Sequence, residues 1–260
     1  MLSDEERRSV AKTLAIAEHD RAPVPPLRDT WPELDVVDAY TIQLMNIADR
    51  LGNGVTIRGH KVGLSSKAMQ DMMGVDEPDY GHLLSDMEVS GSASVGRYCM
   101  PRVEVEVAFV LGRTLPGAAC TEDDVLACTD YVTAAIELID SRIADWNIKI
   151  ADTIADNASS AGFALGDAQV DPASVDLTKI EARLLKGGDE VASGRSDAVL
   201  GNPVTAVAWL ARKVASFGVT LEAGHVILPG SVHRAIDAEA GDDFEAVFTD
   251  LGSVRLSFTE

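Results

Sequence analysis

The sequence predicts an α+β fold, with helices gathered at the start and a mostly β core behind them. Three observations carry that reading. Residues 3–51 show helical periodicity with capping signals; two long apolar runs, at 101–111 and 131–140, are interrupted by glutamates; and the last third is a series of short apolar runs set between glycines. Elements segregated in this way do not build a doubly wound βαβ sheet. The chain divides into a helical segment at 1–54 and a β-rich unit at 55–260, joined as one continuous structure.

Ser3 and Glu6 have the spacing of a capping box, so the first helix runs to about His19 before Pro23, Pro25 and Pro26 break it. A second helix spans about Asp35 to Leu51, with Gly52 as its stop. Val55 to Leu64 reads as a strand, Ser65 or Ser66 caps a short helix from Lys67 to Met73, and Gly74 ends it. Residues 75–81, Val-Asp-Glu-Pro-Asp-Tyr-Gly, read as a loop. After the two glutamate-bearing strands come a short helix at 149–157 and a strand at 161–166. Gly187-Gly188 marks a hairpin. Asn202-Pro203 starts a helix whose stripe Val204, Val207, Ala208, Leu210, Ala211, Val214 is buried, and Gly218 ends it. Strands follow at 226–228, 244–248 and 254–258.

Composition bounds the function. With 260 residues and 46% hydrophobic content the chain buries a sizeable core. A formal charge of −20 argues against nucleic acid and against an anionic membrane as partners, and makes an anionic substrate depend on a local positive centre. Three cysteines, Cys99, Cys120 and Cys128, without C-x-x-C spacing give neither a disulfide framework nor a zinc site. The charged N-terminus is no signal sequence, and a cytoplasmic location is the expectation. Gly-rich phosphate loops are absent, which excludes ATP and NAD as first choices.

The chemistry concentrates in the run Pro101-Arg-Val-Glu-Val-Glu-Val-Ala-Phe-Val-Leu111. Side chains alternate along a strand, so Val103, Val105, Val107, Phe109 and Leu111 share one face while Glu104 and Glu106 share the other with Ala108 and Val110. Both faces become apolar. The two carboxylates stand roughly 6.5 Å apart along the strand. Either they lie on a solvated face, as an acidic chain allows, or they grip one cation. Glu137, between Ile136 and Leu138 in the second apolar run, favours the cation, because a lone buried carboxylate needs a partner. Three glutamates make an oxygen set suited to Mg²⁺ or Mn²⁺.

Other residues carry two readings each. Lys61, between Gly59 and Gly63, is a snorkelling surface lysine or an inward ammonium that binds a carboxylate and exchanges protons. His60 should face the opposite side and be structural. Asp79 is a turn former or a general base. Residues 156–162 end a helix or offer small polar groups to a substrate carboxylate, and Ser159 and Ser160 lack triad partners. Asp140 and Arg142 read as a local ion pair supporting Glu137.

Gly59-His-Lys-Val-Gly-Leu-Ser-Ser-Lys-Ala-Met69, Gly74-Val-Asp-Glu-Pro-Asp-Tyr-Gly81, Arg102-Val-Glu-Val-Glu106, Glu137-Leu-Ile-Asp-Ser-Arg142 and Asp152-Thr-Ile-Ala-Asp-Asn-Ala-Ser-Ser160 together resemble the 2-keto-4-pentenoate hydratase family, within the fumarylacetoacetase-like superfamily. The likeness runs through Leu251-Gly-Ser-Val-Arg-Leu-Ser-Phe258. It implies a mixed β-roll or sandwich core with an N-terminal helical segment, a catalytic domain at 55–260, a divalent metal and a homo-oligomer. It makes Glu104, Glu106 and Glu137 the metal ligands, Lys61 and Asp79 the acid/base groups, and Ser160, Leu64 and Ser231 substrate contacts, the last in a Pro229-Gly-Ser231 turn. Ser65 stands where threonine is frequent and keeps the hydroxyl.

The implied substrate is a 2-hydroxy-2,4-dienoate from meta-cleavage of an aromatic or steroid ring, chelating the metal through its carboxylate and C2 oxygen. Ketonisation gives the 2-oxo-3-enoate, and water then adds at C4 to give a 4-hydroxy-2-oxoalkanoate. The sister activity is 4-oxalocrotonate (2-oxo-3-hexenedioate) decarboxylation, with acylpyruvate hydrolysis third. A reading of another class is a noncatalytic metal-binding subunit that stabilises a partner, and association with a downstream aldolase or other pathway enzyme belongs with it.

Overall fold

The computed structural model describes residues 1–260, the side chains of Ala68 and Met72 excepted. Three helices come first: α1 (Asp4–Asp20), α2 (Leu27–Thr30) and α3 (Val36–Gly52). The Ser3/Glu6 box caps α1, and the Asp35 side chain accepts the Asp38 N–H at the start of α3. Gly52 is the last residue of α3 rather than its cap; that position falls to Asn53. Then come β1 (Ile57–Gly63), α4 (Lys67–Met73), β2 (Asp79–Leu84), β3 (Ser92–Ser94), β4 (Arg102–Leu111), α5 (Glu122–Cys128) and β5 (Thr129–Ile139). The chain ends with α6 (Ile150–Ala155), β6 (Ser160–Leu165), the β7 (Glu181–Lys186) and β8 (Asp189–Arg195) hairpin, α7 (Pro203–Ala215), β9 (Val226–Leu228), β10 (Ile236–Asp237), β11 (Asp243–Phe248) and β12 (Gly252–Thr259).

The strands form two sheets. One has the order β2-β1-β9-β4-β5-β6 with β10 added to β4, and the other β3-β12-β11-β7-β8. The first is mixed, since β1 runs parallel to β9 while its other pairings are antiparallel. It curls until its outer strands β2 and β6 lie against each other, which makes it a roll. The seam is closed without a regular ladder between those two strands. Phe163 N–H donates to the Met87 carbonyl, Val89 N–H donates to the Phe163 carbonyl, and the Asn157 amide takes both main-chain groups of His82, at 2.8 and 2.9 Å. Gly81 is required there, because a Cβ would stand 2.3 Å from the Asn157 carbonyl oxygen. Asn157→Ala removes both amide bonds, and the expected loss is about 2 kcal/mol of stability in urea unfolding, two hydrogen bonds at ~1 kcal/mol each.

Two apolar clusters divide the roll's faces. Val103, Val105, Val107, Phe109, Ile136 and Leu138 join Phe244, Leu256 and Phe258 of the second sheet in the main core. Leu83, Ala108, Ala135, Phe163 and Leu228 form a smaller cluster on the other face, inside the roll. The N-terminal helices belong to the main core through Leu2, Val10, Leu14 and Ile42. Leu27 N–H and Arg28 both bond Asp152 of α6, tying residues 1–54 to the rest. Among the described residues no helix is long and apolar enough to cross a membrane.

Candidate active site

Register places the acidic residues before any side-chain geometry does. Glu104 of β4 pairs directly with Glu137 of β5, so the two share a face, and Glu106 follows on the same side. Lys61 of β1 pairs with Gly81 and with Leu228, and Gly63 pairs with Asp79. All five titratable groups therefore point into the roll, where Glu106, Glu137, Lys61 and Asp79 are buried and Glu104 is half-buried. One carboxylate oxygen from each of Glu104, Glu106 and Glu137 falls within 4.8 Å of the others.

Such a cluster is unstable on its own. Three ionised carboxylates at that separation repel by on the order of 3 kcal/mol per pair, even at the effective dielectric of about 20 typical of proteins. Burial raises the pKa of all three, Glu104 to about 7, Glu106 well above the usual range and Glu137 upward; the neighbouring acids add to this for Glu104 and Glu106, and Lys61 opposes it throughout. Glu106 Oε2 accepts the Gly230 N–H at 2.6 Å. Its Oε1 and both oxygens of Glu137 are buried and accept no hydrogen bond. Unpaired acceptors on hard oxygen ligands fit a divalent cation, which would satisfy them and favour their ionised forms.

Lys61 Nζ lies 3.4 Å from Glu137 Oε1. Burial alone would depress its pKa, but Glu137, Glu104, Asp79 and Glu106 outweigh burial and hold the ammonium charged. Asp79 is raised to about 6 by burial, against the pull of Lys61, and neither of its oxygens accepts a hydrogen bond. It opens a strand, which corrects the loop expected at 75–81: Pro78 and Tyr80-Gly81 look turn-forming, but from Asp79 onward the chain pairs with β1. Gly63 makes room for it, since a Cβ there would meet Asp79 Oδ1 at 2.1 Å. Gly63→Ala displaces that carboxylate; the expected result is a fall in kcat of about tenfold to a hundredfold, with Mg²⁺ affinity by calorimetry near wild type.

Ser160 opens β6 with its hydroxyl buried and without a hydrogen-bond partner. Leu64 follows β1 in a left-handed conformation, φ +53°, and its carbonyl accepts the Gln70 amide. Ser231 is tied to the main chain: its hydroxyl donates to the His233 carbonyl at 2.8 Å, and the neighbouring Gly230 supplies the group that meets Glu106. His60 lies on the opposite face from Lys61, buried against His82 with ring centroids 4.7 Å apart.

The Asp140–Arg142 ion pair expected behind Glu137 does not form. Asp140 accepts the Cys99 and Met100 N–H groups at 2.8 and 2.6 Å, fixing the entry to β4. Arg142 instead pairs with buried Asp156, donates to its carbonyl at 2.6 Å and reaches the Ser160 carbonyl at 3.4 Å. Between those two anchors Asn157, Ala158 and Ser159 are all left-handed, with φ from +50° to +56°. The guanidinium holds the strained turn that delivers Ser160 to the site.

The family model described as fumarylacetoacetate (FAA) hydrolase C-terminal matches residues 82–259. The chain belongs to the fumarylacetoacetate hydrolase family. Within that family, it is 41% identical over 259 residues to the 2-keto-4-pentenoate hydratase of Paraburkholderia xenovorans, covering 99% of this chain and 96% of the relative. It is 44% identical over 239 residues to the 2-hydroxyhexa-2,4-dienoate hydratase of Comamonas testosteroni, 90% of each chain. The fold superposes on 4-oxalocrotonate decarboxylase from Pseudomonas putida G7, complexed with magnesium and adipate, with a TM-score of 0.95, 33% identity and 99% of each chain covered. The family match contains the three glutamates but begins after Lys61 and Asp79. Those two lie in the stretch that the hydratase relative also spans.

Proposed function

We propose that the protein is a divalent-metal-dependent hydro-lyase that adds water to a 2-hydroxy-2,4-dienoate and releases a 4-hydroxy-2-oxoalkanoate. The observation that carries the reading is the convergence of one buried ammonium and one buried, unpaired carboxyl group on a three-glutamate cluster, in a chain with hydratase relatives over its whole length. Glu104, Glu106 and Glu137 would hold the cation, Mg²⁺ or Mn²⁺, which would supply Lewis acidity at the acid end of the substrate.

The chain's own groups handle the protons. Ketonisation removes the proton from the C2 hydroxyl and places one at C5, and Lys61, held charged by four carboxyl groups, stabilises the negative charge that develops on the C2 oxygen. Asp79 takes the proton of the water that adds at C4, while C3 gains one; with its pKa near 6 it exchanges protons readily at neutral pH. Ser160 and the Leu64 backbone orient the substrate carboxylate, and Ser231 keeps the Gly230 turn against Glu106. Assembly as a homo-oligomer belongs to the same proposal and is checked by light scattering.

The decarboxylase neighbour gives a second reading a specific footing, because loss of CO₂ from a β,γ-unsaturated oxo acid needs the same anchoring of C1 and C2. Product analysis separates the two. Purified protein with Mg²⁺ is expected to convert 2-hydroxypenta-2,4-dienoate to 4-hydroxy-2-oxopentanoate and to release little CO₂ from 4-oxalocrotonate; the opposite pattern makes it a decarboxylase.

A further inference from the structure

A cavity of about 190 Å³ lies between α3, α6 and the residues that lead into β2. Val36, Tyr40, Val75, Pro78, Ile150 and Ile154 form its walls. It adjoins the Asp79 end of the site. Pro78 directly precedes Asp79, the Tyr40 ring stacks on that of Tyr80 with centroids 4.7 Å apart, and the Gln43 amide of α3 donates to both the Tyr80 and the Ile154 carbonyls at 2.9 Å.

Charge around the cavity is one-sided. Asp76 and Glu77 are exposed members of its lining, and among the described lining residues none is cationic. Lys213 reaches the area, with its ammonium 5.7 Å from the Tyr40 ring centre, but Glu77 holds it at 2.6 Å. An apolar cavity of about 150 Å³ is large enough to take benzene. A terminal carboxylate placed here would lose hydration without gaining a cation from the described lining residues.

We infer that this cavity receives the substrate tail beyond C5, and that the enzyme is specific for 2-hydroxy-2,4-dienoates ending in an alkyl or aryl group over those ending in a second carboxylate. The inference rests on the hydratase reading: the acid end is anchored at the glutamates, and water addition at C4 brings the far end of the diene to Asp79. Each methylene buried in the cavity adds about fourfold to kcat/KM.

The test is kcat/KM for Mg²⁺-loaded enzyme on dienoates with hydrogen, methyl, ethyl, propyl and phenyl at C5, and on the analogue ending in a carboxymethyl group. A rise through the alkyl series, with the diacid at least about tenfold below the ethyl compound, is the expected result; a flat series or a preferred diacid overturns the inference. Two filling variants, Val75→Phe in the half-exposed loop and Ile154→Phe in the helix, should each collapse the propyl-to-hydrogen ratio toward one. Glu77→Gln, which frees Lys213, should raise the diacid-to-ethyl ratio about threefold to fivefold, the scale of an exposed ion pair. Ratios unchanged in all three variants overturn the tail site while leaving the hydratase reading intact. No turnover of any dienoate overturns both.

Discussion

Glu106→Gln should cut turnover and metal affinity together while making the metal-free protein more stable. Glu106 is wholly buried, one oxygen is committed to the Gly230 N–H and the other accepts nothing, so the amide fills the same space and removes only the charge. On the proposed assignment the cation would lose one of three anionic ligands, and we expect Mg²⁺ affinity to fall at least about a hundredfold and kcat/KM at least about a thousandfold, the upper side of what metal-site and electrostatic deletions cost. Stability moves the other way. Without the ion, the wild-type cluster confines three acids that repel one another, and removing one relieves at least one such contact. Thermal melts check this directly: metal-free Glu106→Gln should melt above metal-free wild type, and saturating Mg²⁺ should reverse the order. A variant that melts lower in both conditions, with Mg²⁺ affinity intact, would return the glutamate to a structural role.

How much of this was legible in the sequence depends on the range of the interaction. The alternation Glu104-Val105-Glu106-Val107 is local, and period two alone gives the inward acidic face that the sheet register later displays. The caps of α1 and α4 are equally local and stand where the side chains indicate. The strand that Asp79 opens was hidden, although Asp79 itself stood out as a candidate base, because that strand exists only by pairing with β1 sixteen residues earlier, at a register that sets Asp79 opposite Gly63. Nothing local distinguishes Pro-Asp-Tyr-Gly in a turn from the same run entering a ladder. The short strands β3 and β10, three and two residues long, carry no periodicity and arise from their neighbours β12 and β4. Arg142 shows the same limit: adjacency suggested Asp140, whereas the fold provides buried Asp156 and leaves Asp140 to cap two amides. The Gly230 N–H that meets Glu106 is a main-chain contact across 124 residues, with no side-chain signal at all.

Lys61→Met should give the opposite stability response from Glu106→Gln, and the pair of variants isolates the electrostatics of the site. Lys61 is the buried cation facing Glu137, and Asp79, Glu104 and Glu106 also hold it in its charged form. Removing one partner of a buried ion pair costs about 3–5 kcal/mol because the remaining charge is left uncompensated. The metal-free variant should therefore unfold at markedly lower temperature than wild type. Saturating Mg²⁺ should recover much of that loss, since the cation supplies the positive charge that the acids lack. Activity should not recover: in the proposed mechanism the Lys61 ammonium stabilises charge at the C2 oxygen, and with it gone a fall in kcat of about a hundredfold to ten-thousandfold is expected. Solvent deuterium exchange into substrate carbon tests where the defect lies. If Lys61 acts in ketonisation, Lys61→Met loses exchange and hydration in parallel, whereas Asp79→Asn retains exchange at C5 and loses water addition. Equal loss of exchange in both variants would show that the two residues act as one proton-transfer unit, and full recovery of activity on adding Mg²⁺ would reduce Lys61 to a counter-charge.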